Sequence, residues 1–256
     1  MVEARSSTVS EESSGRGFVT RTPITRIFVD SVLEPGGVLE LPVGEANHVL
    51  KVLRGRRGAF VEVVDGAGRL FAARLRGGRE AAVVEELAAP DGAGMEVSLY
   101  QAVPKGGRMD LVVEKATEVG AARIVPLLTE RGVVNPREGK LGRWRRVAEA
   151  AARQSLRLDV PEVAEPVPFE DAASMAGQTG VLLHNAPNLE PVEAVVHSPA
   201  SLFVGPEGGW SEDELQLAKE VGIAFRGLGP YRLRSETAGL VAVARTLAAL
   251  QSRVEH

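Results

Sequence analysis

The sequence predicts an α/β protein in two parts, a small β-rich domain followed by a mostly parallel sheet covered by helices. Three observations carry this. Residues 59–87 read as short strands punctuated by glycine turns. Beyond residue 95, short apolar runs alternate with longer amphipathic stretches, the pattern of successive β-α-β units. Between them lies AAPDGAG, residues 88–94, where proline and glycine interrupt both patterns. The resulting division is a disordered tail over residues 1–20, a first domain over 21–90 and a second over 95–256.

The elements follow in order. TRIFVD, from Thr25, reads as a strand, and EANHVLKVLR as a short helix with Val49, Leu50 and Leu53 on one face. AFVEVVDGAGRLFAARL is a strand pair around Asp65-Gly66-Ala67-Gly68, residues that tolerate positive φ, and a third strand spans Glu80 to Leu87. In the second domain the order is strand MEVSLYQAV, a helix near Arg108 to Val119, strand ARIVPLL, helix LGRWRRVAEAAARQSL, and strands VLLH and SLFVG. Helix SEDELQLAKEVG, a short strand around Ala224 to Arg226 and helix SETAGLVAVARTLAAL complete it.

Composition excludes several chemistries. The 256 residues contain no cysteine, which removes disulfides, thiolate nucleophiles and zinc sites built on sulfur. His48, His184, His197 and His256 never stand at metal-sharing helical spacing, so no metal is expected. No apolar run is long enough to span a membrane and the polar start lacks the centre of a signal peptide, so a cytoplasmic protein is expected. The net charge of -4 is unevenly spread: residues 48–79 hold eight Lys/Arg against two acids, and residues 101–157 twelve against six. Residues 158–222 reverse the balance, with one Lys and twelve acids. Because charge is screened over about 8–10 Å, a phosphate polymer would feel those basic stretches rather than the total. Charge alone also allows an ordinary solvated surface.

Three segments carry candidate chemistry. In SLFVGPEGGWSEDEL a β run ends in Gly205-Pro206-Glu207-Gly208-Gly209, and Ser211 with Glu214 has the spacing of a capping box at the next helix. Loops at the carboxyl ends of parallel strands are where such sheets bind ligands, and glycine lets backbone approach them closely. Taken alone, the loop reads first as an ordinary glycine-rich turn. GLGPYRLRSETAGL repeats the arrangement, with Ser235 placed as N-cap. Neither loop has the glycine pattern of a dinucleotide fold or a P-loop, and no G-x-S-x-G elbow occurs. The third segment, VPKGGRMDLVVEKATEVG, and the helix after it are rich in cations around Trp144. That mixture suits phosphate contacts with base stacking, or else a solvated face with Trp144 as a half-buried anchor.

Together and in this order, NHVLKVLR, VPKGGRMDLVVEKATEVG, the TER of Thr129 to Arg131, AARQSLR, GPEGGWS and LGPYRLRSETA resemble the RsmE family, the 16S ribosomal RNA uracil-N3 methyltransferases of the SPOUT superfamily. The resemblance covers the chain from about Thr25 to Leu250. It departs at Asn47-His48, where the family usually has two histidines, and at Arg153, where Glu often precedes the Gln-Ser pair.

What the resemblance implies is an N-terminal PUA-like β-barrel that binds RNA, a C-terminal SPOUT α/β domain tied in a trefoil knot, and a homodimer acting on 16S rRNA of the small ribosomal subunit. S-adenosylmethionine would be held by Leu183, His184, Val204, Gly205, Pro206, Glu207, Gly208, Gly209, Leu228, Gly229, Leu233 and Arg234. Catalytic candidates are Glu207, Arg234, Lys115, Arg131 and Arg108; RNA-binding candidates are Lys51, Arg54, Arg56, Arg145 and Arg153. Two rival readings stand beside this one: a related knotted methyltransferase acting on a tRNA ribose 2'-hydroxyl, and a non-catalytic RNA-binding assembly factor.

Overall fold

The computed structural model describes residues 26–44, 46, 49, 57–88, 95–133, 136, 139–195 and 197–254. Five strands form the first sheet: β1 (Arg26–Phe28), β2 (Val38–Glu40), β3 (Phe60–Val64), β4 (Leu70–Gly77) and β5 (Glu80–Leu87). Their order is β1-β3-β4-β5-β2, so the order of the described strands stays open at β1 and β2. β1 lies parallel to β3, whereas the other pairs are antiparallel. In β3, Val61 and Val63 turn inward onto Ile27, Phe71 and Val83, while Phe60 faces solvent, as a half-buried sheet requires. β2 was not expected; three residues are too few for alternation to register. The helix expected over EANHVLKVLR falls largely outside the described residues, although Ala46 and Val49 are buried in this core.

The second sheet has seven strands: β6 (Val97–Ala102), β7 (Arg123–Leu128), β8 (Glu162–Val163), β9 (Val167–Pro168), β10 (Gly180–Leu183), β11 (Ala200–Val204) and β12 (Ala224–Arg226). All its pairs are parallel, in the order β12-β10-β11-β6-β7-β8, with β9 also on β7. Five helices accompany it: α1 (Met109–Val119), α2 (Lys140–Gln154), α3 (Phe169–Ala176), α4 (Glu212–Glu220) and α5 (Ser235–Val254).

Alternate residues of the central strands feed two separate cores. Leu99, Ile124, Val181 and Leu202 pack with residues of α1, α2 and α5, including Val112, Trp144 and Val243. Their neighbours Tyr100, Val125, Leu182 and Phe203 pack with α3 and α4, where Phe169 and Ala218 lie. Burial on both faces explains the unbroken apolar runs of these strands. A fully buried Phe203 contributes about 1.5–3 kcal/mol from burial alone. Truncating it to alanine would cost about 3–5 kcal/mol, because a cavity would remain.

Helix α3 escaped the sequence reading because eight residues give little periodicity, although Glu170 and Asp171 in its first turn and Gly177 beyond its end mark it. The capping box at α4 is present, with Ser211 Oγ accepting from Glu214 N at 3.1 Å and Glu214 Oε2 from Ser211 N at 2.8 Å. Trp144 is an anchor rather than a stacking platform, and more deeply set than the half-buried one expected: it is 3% exposed and its Nε1 donates to Asp110 Oδ1 at 3.0 Å.

Candidate functional site

Strands β12, β10 and β11 are neighbours and parallel, so the loops that follow them emerge side by side at one edge of the sheet. They enclose a cavity of about 350 Å³. Leu183 and His184 come from the first loop; Val204, Gly205, Pro206, Glu207 and Gly209 from the second; Leu228, Leu233 and Arg234 from the third. Ten of the twelve expected cofactor residues therefore line it, and Gly208 and Gly229 belong to the same loops without doing so. The sequence reading missed Asn185, Trp210, Arg232, Ser235 and Ala238, which line it as well.

The middle loop is held by partners from distant parts of the chain. Trp210 Nε1 donates to Leu183 O at 3.1 Å, pinning the end of this loop to β10. Its ring lies against Gly205, where a Cβ would stand 2.9 Å from Cε2, so only glycine fits. Gly209 turns the chain at φ 73, with its N–H on Pro206 O at 2.9 Å. Lys105 N donates to Glu207 Oε1 at 3.1 Å, and Arg232 to Glu207 O at 3.2 Å. Ser235 Oγ donates to Gly205 O at 2.6 Å and accepts from Gln101 Nε2 at 2.8 Å. Its hydroxyl thus serves partners outside its own helix, which corrects its expected place as an N-cap.

The neighbouring loops are braced too. His184 Nδ1 accepts from Ala186 N at 3.0 Å, which leaves Nε2 as the N–H of the neutral ring. Arg245 of α5 donates to Leu228 O at 2.8 Å and forks onto both carboxylate oxygens of Glu193. That hydrogen bonding holds the Glu193 carboxyl below its usual value despite burial.

With this arrangement in view, comparison with known proteins is decisive. Residues 92–247 match the family described as RNA methyltransferase domain. A ribosomal RNA small subunit methyltransferase E of Synechocystis is 34% identical over 252 residues, covering 94% of this chain and 82% of that one. The chain belongs to the ribosomal RNA small subunit methyltransferase E family. Among solved structures, a methyltransferase E of Neisseria gonorrhoeae bound to S-adenosyl methionine has a TM-score of 0.77 and 31% identity, covering 90% of this chain and 98% of that one. A methyltransferase of Legionella pneumophila, in complex with the same cofactor, has a TM-score of 0.73 and 30% identity over 91% and 98% of the two chains.

In this member of the methyltransferase E family the candidate catalytic residues divide into three groups. Glu207 and Arg234 line the cavity, and the Arg234 side chain makes no hydrogen bond or ion pair among the described residues. Arg131 stands at the rim, its guanidinium 3.4 Å from Gly208 O. Arg108 and Lys115 are not brought to the cavity lining. Arg108 pairs with Glu236 at 3.4 Å. Lys115 is bound by Glu114 and Glu118 at 2.8 and 2.7 Å, and the hydrogen bonds its ammonium donates to those carboxylates, Glu114 first, raise its pKa.

Of the RNA candidates, Arg145 donates to Val163 O at 3.0 Å and pairs with Glu165 at 3.5 Å, and Arg153 pairs with Glu149 at 2.6 Å. Lys51, Arg54 and Arg56, like Asn47 and His48, lie outside the described residues. Among the described residues no group of three or more His, Asp or Glu side chains is placed to hold a metal, and no helix is long and apolar enough to cross a membrane.

Proposed function

We propose that this protein methylates N3 of a specific uridine in 16S rRNA of the small ribosomal subunit, using S-adenosylmethionine. The observation that carries the reading is the convergence of three strand-end loops on one cavity with an arginine at its lip that has no ion-pair partner among the described residues. The residues present fit the cofactor. Leu183, Val204, Leu228, Leu233 and Ala238 offer apolar surface for an adenine ring, and the glycine loop exposes backbone groups where a Cβ on Gly205 would strike Trp210. The volume also falls within the range of ordinary ligand sites, about 300–1,000 Å³.

When bound, the sulfonium supplies an electrophilic methyl group. The protein's task is then alignment, together with passage of the N3 proton from the uracil to solvent water. Loss of that proton leaves negative charge on O2 and O4, and Arg234, with no competing carboxylate among the described residues, is placed to stabilise it. Glu207 already accepts from Lys105 N, so its first role is to hold the loop rather than to take the proton. Arg131 steadies the same loop through Gly208 O. Tyr231, 81% exposed beside Arg232, offers a ring on which a displaced base would stack, worth about 1–3 kcal/mol.

The same reading includes an N-terminal PUA-like barrel over residues 21–90 that holds RNA, a knotted methyltransferase domain over 95–256, a homodimer and a cytoplasmic setting. Incubating the protein with labelled cofactor and unmodified small subunits, then locating the label by mass spectrometry, tests it. Label on N3 of one uridine is expected; label on a ribose, or none, overturns it. Charge reversal at Arg54 and Arg56 is expected to weaken RNA binding and flatten its salt dependence.

A further inference from the structure

We propose that Gln101 is a positioning residue for the cofactor: its side-chain amide sets the direction of the Ser235 hydroxyl, which in turn holds the Gly205 carbonyl and fixes the spacing of two cavity walls. The inference rests on the cofactor reading above. Gln101 itself does not line the cavity, whereas Ser235 and Gly205 both do.

Gln101 is the next-to-last residue of β6 and is fully buried. Apolar residues fill most inward positions of this sheet, so an amide here carries a desolvation cost. Its Nε2 donates to Ala102 O at 3.1 Å and to Ser235 Oγ at 2.8 Å, which uses both of its hydrogens. The amide cannot be turned over, because Ala102 O only accepts and would then face Oε1. Oε1 is left buried without a partner among the described residues. Gly239, in α5, has no side chain where a Cβ would collide with that oxygen. A glycine within a helix and an orphaned acceptor are thus both tolerated to keep the amide in place.

The consequence is directional. Ser235 Oγ receives a hydrogen from Gln101, so its own hydrogen goes to Gly205 O, 2.6 Å away. That bond joins the loop after β11 to the start of α5, and therefore two of the three segments that enclose the cavity. A carboxylate at position 101 would accept the Ser235 hydrogen instead, and Gly205 O would lose its donor.

The test is calorimetric titration of S-adenosylmethionine into the full chain and into Gln101→Glu, Gln101→Met, Ser235→Ala and Ser235→Thr, with thermal melts of each. Gln101→Glu and Ser235→Ala are expected to weaken the cofactor roughly tenfold, about the scale of one lost hydrogen bond. Ser235→Thr keeps the hydroxyl and should restore binding, and Gln101→Met with Ser235→Ala together should lose little more than Ser235→Ala alone. In turnover assays with the cofactor varied, kcat should fall less than the KM for the cofactor rises. Lowered melting temperatures with unchanged cofactor affinity would make the amide merely structural and overturn the proposal, as would additive losses in the double variant. If the buried carboxylate prevents Gln101→Glu from folding, the methionine and serine variants decide alone. An absence of heat with the unsubstituted protein would overturn the methyltransferase reading itself.

Discussion

At the end of β3, Asp65 accepts hydrogen bonds from the backbone of Ala67 and Arg69, both at 2.9 Å, from Leu33 N at 3.2 Å and from the Arg69 guanidinium. At the end of β11, the loop from Gly205 to Trp210 is held by Lys105, Arg131, Arg232 and Ser235, all far from it in sequence. The Asp65 turn satisfies itself mostly from its own few residues, and the Asp65 carboxylate is spent on backbone donors and Arg69. The Gly205 loop takes its support from several segments at once and keeps Glu207 and Gly209 on a cavity. Local satisfaction marks a turn that serves stability, and borrowed support marks one that holds a shape for something else.

Substitutions at the cavity should break that comparison most forcefully. Arg234→Ala and Glu207→Ala are expected to lower methyl transfer by about 10²–10³-fold or more. Thermal melts should barely move, since neither side chain is buried; turnover close to that of the unsubstituted protein would remove the residue from the mechanism.

Asp65→Ala should act in the opposite sense. It strands the donors of Leu33, Ala67 and Arg69 and is expected to cost roughly 3 kcal/mol in urea denaturation, with turnover per folded molecule unchanged. Loss of cofactor binding in this variant would show that the two turns are coupled after all.

Acid titration sharpens the point. Burial alone would raise the Asp65 pKa, but hydrogen bonds from Arg69, Leu33 and Ala67 outweigh it and hold the carboxyl below the usual carboxylate range. A depressed carboxyl stabilises the fold above its unfolded value and loses that contribution as pH falls through the lower folded value. Asp65→Asn should therefore remove part of the stability lost below about pH 4. An identical acid-unfolding curve for both proteins would contradict this.

The smallest effect is expected at the cap of α4. Ser211→Ala removes one half of the capping box and should cost about 1 kcal/mol in denaturant, with at most a minor change in turnover.

The second sheet was legible because burial on both faces writes its central strands as apolar runs, and the site was legible where glycine was required by close packing, as at Gly205. Pairing was not legible. Arg108, Lys115 and Arg145 read as free cations in the sequence, but Glu236, Glu114 with Glu118, and Glu165 meet them in the fold. Nothing in LYQAV announces that Gln101 meets Ser235, 134 residues away. Likewise the indole of Trp210 closes onto Leu183 only after β10 and β11 have paired. The strands β8 and β9, two residues each, are made by pairing with β7 and leave no pattern of their own.

Helix α5 supplies Ser235 and Ala238 to the cavity, and its Arg245 braces Leu228 from behind. It also lies downstream of every other wall. A nascent chain still inside the ribosome, with residues beyond about 230 unsynthesised, would own the glycine turn but no pocket. Competence to act on RNA therefore arrives late in synthesis, when this helix seats against β6 and β11 and the parts made earlier acquire their final support.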